Sequence, residues 1–300
     1  MAEAPLIFDR ALVRARRRRA AALGPAEFLL DRVAADLTER LSTVTRRFDV
    51  AADLGTPTDA LRVRLARTGR LEKVITVDAL VERWPARAAP SVAADEEALP
   101  FRDGALDLVV SALALQFVND LPGTLAQIRR ALRPDGLFLA ALLGGETLTE
   151  LRQSFTAAEA ELVAGASPHV APFGDVRALG LLLQRAGFAL PVSDVDRITV
   201  RYDSPFALMH DLRRMGATNA LIERSRLPLR RAVLIRMAET YSRRFSDPDG
   251  RVRATFEVVW LSGWAPDVSQ QQPLRPGSAK ARLADALGVM EIPAGEKPGR

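Results

Sequence analysis

The chain is 300 residues long, 48% hydrophobic and 26% charged, which describes a globular protein able to bury a core without staples. It has no cysteine and only two histidines, His169 and His210; disulfides, thiolate metal sites and cysteine nucleophiles are excluded, and imidazole metal sites are poorly supplied. The net charge of +5 comes from arginine spread along the whole chain, with lysine only at Lys73, Lys280 and Lys297, and without an aromatic-plus-basic module it does not describe a nucleic-acid binder.

No apolar run approaches the ~20 residues of a membrane span, so no transmembrane segment is expected, and peripheral association with a membrane stays open. The N-terminal "RALVRARRRRAAAL" reads as a solvated basic helix face available to an acidic partner or surface, with an arginine-rich transit peptide as the rival reading. After Gly24-Pro25, "AEFLLDRVAADLTERL" puts Leu30, Val33, Leu37 and Leu41 on one helical face. "RRFDVAADLG" is a buried strand closed by glycine, residues 59–68 a short helix, and "KVITVDA" a β-branched strand ending at Asp78. A short strand and loop in "APSVAADEEALPF" follow, then a strand in "GALDLVVSALALQFV". "LPGTLAQIRRALRPDG" is an amphipathic helix stopped at Pro134-Asp135-Gly136, where proline fixes φ and glycine permits the left-handed position. "LFLAALLGG" is the next strand.

Beyond Gly145 the sequence predicts a long helix, the loop "SPHVAPF", a helix capped at Gly187, the strand "RITVRY" and a helix ending near Gly216. A further amphipathic helix precedes the final strand "RVRATFEVVWLSGW", whose early alternation suggests an antiparallel edge strand. Strands and helices alternating with short connections require crossovers, hence an open, doubly wound, mostly parallel α/β sheet. The expected organisation is a helical cap over 1–45, an α/β domain over 46–265 with lid insertions at about 146–175 and 204–246, and a loosely ordered tail over 266–300.

In such sheets ligands bind beyond the carboxyl ends of the strands. Asp53-Leu54-Gly55 closes the first strand, Asp78 the second, Asp95-Glu96 follows the third and Ser111 lies at the end of the fourth. A carboxylate at Asp78 accepts twice, which suits the two hydroxyls of a ribose, and Asp95 can accept from an adenine amine. Taken singly, the plain readings win, Asp78 as a helix N-cap and Asp95 as a solvated turn. Their order together favours a nucleoside site.

The order DLG…VD…ADEEALPF…LDLVVS…LRPDG resembles a class I S-adenosylmethionine-dependent methyltransferase. The phrases "IFDRALVRARRRRAA", "VNDLPGTLAQI", "GGETLTELR", "SPHVAPF" and "MGATNAL" are more narrowly similar to complex I assembly factor 5 of the NADH–ubiquinone oxidoreductase, a family close to the malonyl-carrier-protein O-methyltransferases. The resemblance runs from about Ile7 to Ala281. It implies a Rossmann-like, seven-stranded sheet with its last strand antiparallel, S-adenosylmethionine contacts at Asp53, Gly55, Asp78, Asp95 and Glu96, and modification of an arginine on a complex I subunit, described as hydroxylation rather than methylation. It also implies a bacterial cytoplasmic protein, because the chain begins almost at the point where the mitochondrial relatives' transit peptide ends. Pro57 and Asp59 stand where the family's first motif has glycines, and Gln116-Phe117 where it has His-Trp. His169 is the remaining matching imidazole, a catalytic candidate or a structural loop residue. Tyr202 and Asn219 fall in the lid region, with packing and capping as their plain readings, and Trp260 and Trp264 read as packing. Three functions stay open: an enzyme acting on a protein arginine, a non-catalytic assembly factor with a degenerate cofactor site, and a carrier-protein or small-molecule O-methyltransferase.

Overall fold

The computed structural model describes residues 6–80, 90–163, 165–271, 278 and 283–290. The chain forms two units, Met1–Pro266 and Asp267–Arg300. Of the second, the helix α9 (Leu283–Leu287) and a turn in which Asp267 accepts from the Ser269 N–H and hydroxyl are described; most of the tail expected over 266–300, with Lys280, Ala281 and Lys297, lies outside the described residues.

The first unit opens with α1 (Arg10–Leu23), capped by the Asp9 carboxylate on the Leu12 N–H, and α2 (Phe28–Ser42). Then come β1 (Phe48–Leu54), α3 (Ala60–Ala66), β2 (Leu71–Asp78), β3 (Ser91–Ala93) and β4 (Leu106–Ala112). A 3-10 turn over Leu115–Phe117 leads to α4 (Leu121–Ala131), β5 (Leu132–Leu143), α5 (Thr149–Leu162) and α6 (Val176–Arg185). The order ends with β6 (Ala189–Tyr202), α7 (Pro205–Arg214), α8 (Arg231–Phe245) and β7 (Val252–Trp264).

The seven strands run in the order β3-β2-β1-β4-β5-β7-β6, parallel from β3 to β5, with β7 antiparallel to both β5 and β6. The expected doubly wound class with an antiparallel last strand is therefore present. The expected edge position of that strand is not: β7 is enclosed between β5 and β6, and the edge is β6. The difference has a physical cause in the sequence. Along β6 exposure alternates almost residue by residue, as on a half-solvated edge, whereas Phe256 to Leu261 of β7 are continuously buried.

Helices cover both faces, and β5 displays the division. Leu137, Leu139, Ala141 and Leu143 enter a core with Val33, Leu37 and Leu41 of α2, Phe155 of α5 and Met237 and Tyr241 of α8. Phe138, Ala140 and Leu142 point the other way, against Leu125 and Ile128 of α4 and Leu179 and Leu183 of α6. Each enclosed leucine or phenylalanine contributes roughly 1.5–3 kcal/mol of burial.

The segment Pro134-Asp135-Gly136, expected as a turn before the strand, is an irregularity inside β5, where the register against β4 shifts between Leu132 and Leu137. Asp135, not Gly136, takes the left-handed conformation, at φ 60°. Gly136 is required for space instead, since a Cβ there would lie 2.9 Å from the Arg133 carbonyl oxygen and 3.1 Å from that of Asp107. Among the described residues no helix is long and apolar enough to cross a membrane.

Candidate functional site at the carboxyl ends of the parallel strands

β1 ends in the turn Gly55-Thr56-Pro57-Thr58-Asp59. Gly55 has φ 70°, its N–H donates to the Val77 carbonyl, and an added Cβ would fall 2.5 Å from Glu96 Oε1, so only glycine fits. Asp53, fully buried beneath the turn, accepts the Thr56 hydroxyl on Oδ1 while its Oδ2 has no partner among the described residues. Burial, with the nearby Asp78 charge adding, pushes the Asp53 carboxyl up to about 7 against the lowering effect of the Thr56 hydrogen bond. Ser111, also fully buried, donates to the Leu54 carbonyl at 2.7 Å and so braces β4 against β1.

Asp78 is buried at the end of β2, accepting the Leu80 N–H at 2.8 Å; residues 81–89, which would decide its N-cap reading, lie outside the described residues. Asp95 and Glu96 follow β3, and Asp95 accepts the Glu97 N–H at 2.9 Å. The expected convergence of acidic groups is therefore present in space. A partner not expected from the sequence lies across it. Arg17 Nη2 stands 3.4 Å from Asp78 Oδ2 and donates to the Gly55 carbonyl, while its Nη1 lies 3.2 Å from Glu96 Oε1. Arg10 bridges Asp95 at 2.7 Å and Glu96, and also donates to the Phe117 carbonyl at 3.0 Å. Arg14 reaches the other Asp95 oxygen at 2.5 Å. Burial works to raise the Asp95 carboxyl, but the Glu97 N–H and the Arg10 and Arg14 guanidiniums hold it below the ordinary carboxylate range.

The expected solvated basic face is corrected in part: Arg10, Arg14 and Arg17 of α1 meet an acidic partner within the chain, while Arg18 and Arg19 are exposed. The sequence carries only part of the signal: arginine at 10, 14 and 17 is an i, i+4, i+7 stripe, but nothing local marks ADEE as its partner. The start of the chain is tied to the same region by Asn119, whose Oδ1 accepts the Ile7 and Phe8 N–H groups at 2.8 and 2.7 Å.

Beneath α1 lies a cavity of about 420 Å³, walled by α1, the start of α2, the 57–59 turn, residues 113–117 and the segment after α7. Leu113, on its wall, sits at φ 52°, a strained conformation for leucine that no local sequence signal announces. Gln116 donates to the Leu113 carbonyl at 2.8 Å, and its Oε1 has no partner among the described residues. Asp59 occupies the N-cap position of α3 without making the side-chain capping bond; it pairs instead with Arg62 at 2.8 Å. That pairing offsets the repulsion of about 1 kcal/mol or more that an unpaired Asp59 would exert on a cofactor carboxylate.

His169 lies elsewhere, in a second hollow. Its Nε2 is 2.7 Å from Glu159 Oε1 and 3.2 Å from Ser167 Oγ, and its ring stacks on Phe155 with centroids 3.9 Å apart. Both polar contacts use one nitrogen, so the group is not the relay of a nucleophilic triad. Asn219 donates to the Pro168 carbonyl at 2.7 Å, bracing the same loop. Tyr202 and Trp260 are core residues, the latter with the Arg40 guanidinium 4.5 Å above its ring, and Trp264 packs partly buried against the core.

An S-adenosylmethionine group fits the residues present. The orphan Asp53 Oδ2, the Gly55 cradle that a Cβ would fill and the balanced Asp59 would line its turn, and Asp78, Asp95 and Glu96 would form its acidic rim. The fit requires that rim to exchange its contacts with Arg10 and Arg17.

Residues 52–140 match the methyltransferase domain family. The chain is 36% identical over 294 residues to "Arginine-hydroxylase NDUFAF5, mitochondrial" of Danio rerio, covering 95% of this chain and 91% of that protein. It is 43% identical over 197 residues to the malonyl-[acyl-carrier protein] O-methyltransferase of Laribacter hongkongensis, covering 66% of this chain and 64% of that one. The crystal structure of the YcgJ protein from Bacillus subtilis superposes with a TM-score of 0.51 at 14% identity, covering 77% of this chain and 98% of that one, a likeness of fold alone. The expected bacterial cytoplasmic location is overturned by the mitochondrial relative, matched nearly end to end; the point at which a sequence begins carries no information about its compartment.

Proposed function

The chain belongs to the family of the arginine-hydroxylase NDUFAF5, and from that premise we infer that it modifies an arginine side chain of a partner protein, a subunit of respiratory complex I, in the cavity beneath α1. The observation that carries the reading is the meeting of Gly55, Asp78, Asp95 and Glu96 at the strand ends, beside that cavity. In this reading S-adenosylmethionine is the group held there: Asp78 takes the ribose hydroxyls, Asp95 and Glu96 the adenine end, and Asp53 and Gly55 the turn. When bound, that group supplies a sulfonium with an electrophilic methyl.

The chain's own residues prepare the rest of the site. Asp59 and Glu96 on the cavity wall are already paired with arginines, whereas Glu27 has no ion-pair partner among the described residues. A guanidinium has only donors to offer, so Glu27 and the unpartnered Gln116 Oε1 are the acceptors suited to it. Ser111 and Thr56 hold the turn and β4 in register, Thr56 Oγ1 accepting the Ala112 N–H at 3.2 Å.

Peptide mass spectrometry of complex I subunits from cells with and without the chain tests the reading. One arginine modification disappears with the chain if it is right; unchanged subunits exclude it. A second reading, a non-catalytic assembly factor, draws support from one observation: Arg10, Arg14 and Arg17 already satisfy the acidic rim. It predicts failed assembly with every subunit arginine unaltered.

A further inference from the structure

The second hollow, of about 940 Å³, opens between α1, the carboxyl-terminal part of α5, the 165–169 loop and residues 224–233. Four arginines line it, Arg16, Arg224, Arg226 and Arg230, against two carboxylates, Asp9 and Glu159. Both carboxylates already have partners. Asp9 caps α1 and pairs with Arg224 at 3.4 Å; Glu159 accepts the Ser167 N–H at 2.7 Å, the Ser167 hydroxyl and His169. Arg16, Arg226 and Arg230 are left without a carboxylate at ion-pair distance among the described residues. Desolvation, with repulsion from Arg19 and Arg224 adding, drives the Arg16 guanidinium down to about 10, and the Asp9 charge opposes this only in part.

The hollow is also partly apolar. Val163 and Val233 line it, and Leu227 and Leu229 stand on its border 80% and 41% exposed. Unbalanced arginines beside uncovered leucines call for an occupant that brings carboxylates and apolar side chains together. A free phosphate would leave the leucines in water.

We propose that this hollow docks an acidic, leucine-bearing segment of a partner protein, with Arg16, Arg226 and Arg230 pairing its carboxylates and Leu227 and Leu229 covered by its apolar side chains. It deepens the functional reading above in supplying a docking site for the modified protein, and it rests on that reading only in taking the partner to be a protein. The site is separate from the cavity: Asp9 and Arg16 belong to it, while Arg10 and Arg17 of the same helix face the acidic rim.

The test uses the full chain and a labelled short peptide of glutamate and leucine, with the same peptide carrying glutamine for glutamate as control, read by fluorescence anisotropy. Binding of the acidic peptide, weakening as salt rises, and its loss by roughly tenfold or more in the double variant Arg226→Glu/Arg230→Glu are expected. Both positions are exposed, so the fold persists, which thermal unfolding of the variant checks. Equal binding by native and variant chains, or equal binding of both peptides, overturns the proposal. So does a preference for vesicles containing phosphatidylserine over the peptide, abolished by the same double variant, which would make the surface a lipid site. Titration of S-adenosylmethionine into the double variant keeps the two readings apart: docking lost with cofactor binding unchanged supports the separate site, whereas joint loss overturns its separateness.

Discussion

Replacing Asp53 with asparagine should stabilise the protein at neutral pH while leaving it unchanged in acid. The carboxyl titrates near 7 in the folded chain, against an unfolded value of 3.8, because burial disfavours its charge. A folded-state value raised in this way makes the protonated form a stabilising feature that is complete below about pH 4 and lost as pH climbs through 7. Three pH units or so of separation correspond to about 4 kcal/mol across the whole range, of which roughly 2.5 kcal/mol falls between pH 5 and pH 8. Asparagine keeps an acceptor for the Thr56 hydroxyl and carries no charge to bury. Denaturant unfolding of both proteins at pH 5, 6, 7 and 8 reads the difference directly. The native chain should lose stability relative to Asp53→Asn as pH rises, by an amount of that order. Parallel stability curves would refute the assignment of a destabilising buried charge to Asp53.

Arg17→Met removes the guanidinium that Asp78 and Glu96 share, while Arg10 still pairs Glu96; a loss of about 2 kcal/mol in chemical unfolding at pH 7 is expected, and no measurable loss would contradict the pairing. Gly55→Ala forces a Cβ against Glu96 at a positive φ, so a destabilisation of roughly 2 kcal/mol with weakened S-adenosylmethionine binding should appear in unfolding and titration experiments. Gln116→Ala removes a cavity-wall acceptor with little other bonding, so partner modification should fall roughly tenfold or more while the unfolding midpoint holds to within a few degrees.

Local patterns made much of the fold legible. The stripe Leu30, Val33, Leu37, Leu41 announced α2, and the unbroken apolar runs of β1, β4 and β5 announced strands buried on both faces. The place of β7 was hidden because strand order depends on contacts distant in sequence: residues 252–264 reveal a strand, but only pairing with β6 encloses it. The acidic rim could be read from the ends of successive strands, since a parallel sheet brings those ends to one edge. Its cover could not, because the arginine stripe of α1 identifies a basic helix face without naming which of many carboxylates it meets. Asp59 shows the same limit at short range. Its position before α3 suggested a cap, yet Arg62 one turn on offered a stronger partner. Leu113 and Leu148, both at positive φ beside the strand ends, carry strain imposed by tertiary packing and leave no mark in local sequence.

The sharpest test of the whole account is calorimetric titration of S-adenosylmethionine into the native chain and into Asp78→Asn. A carboxylate poised at the end of β2 to receive a ribose predicts saturable heat for the first protein and affinity lower by roughly tenfold or more for the second. Absence of heat at millimolar cofactor, or indistinguishable affinities, would contradict it.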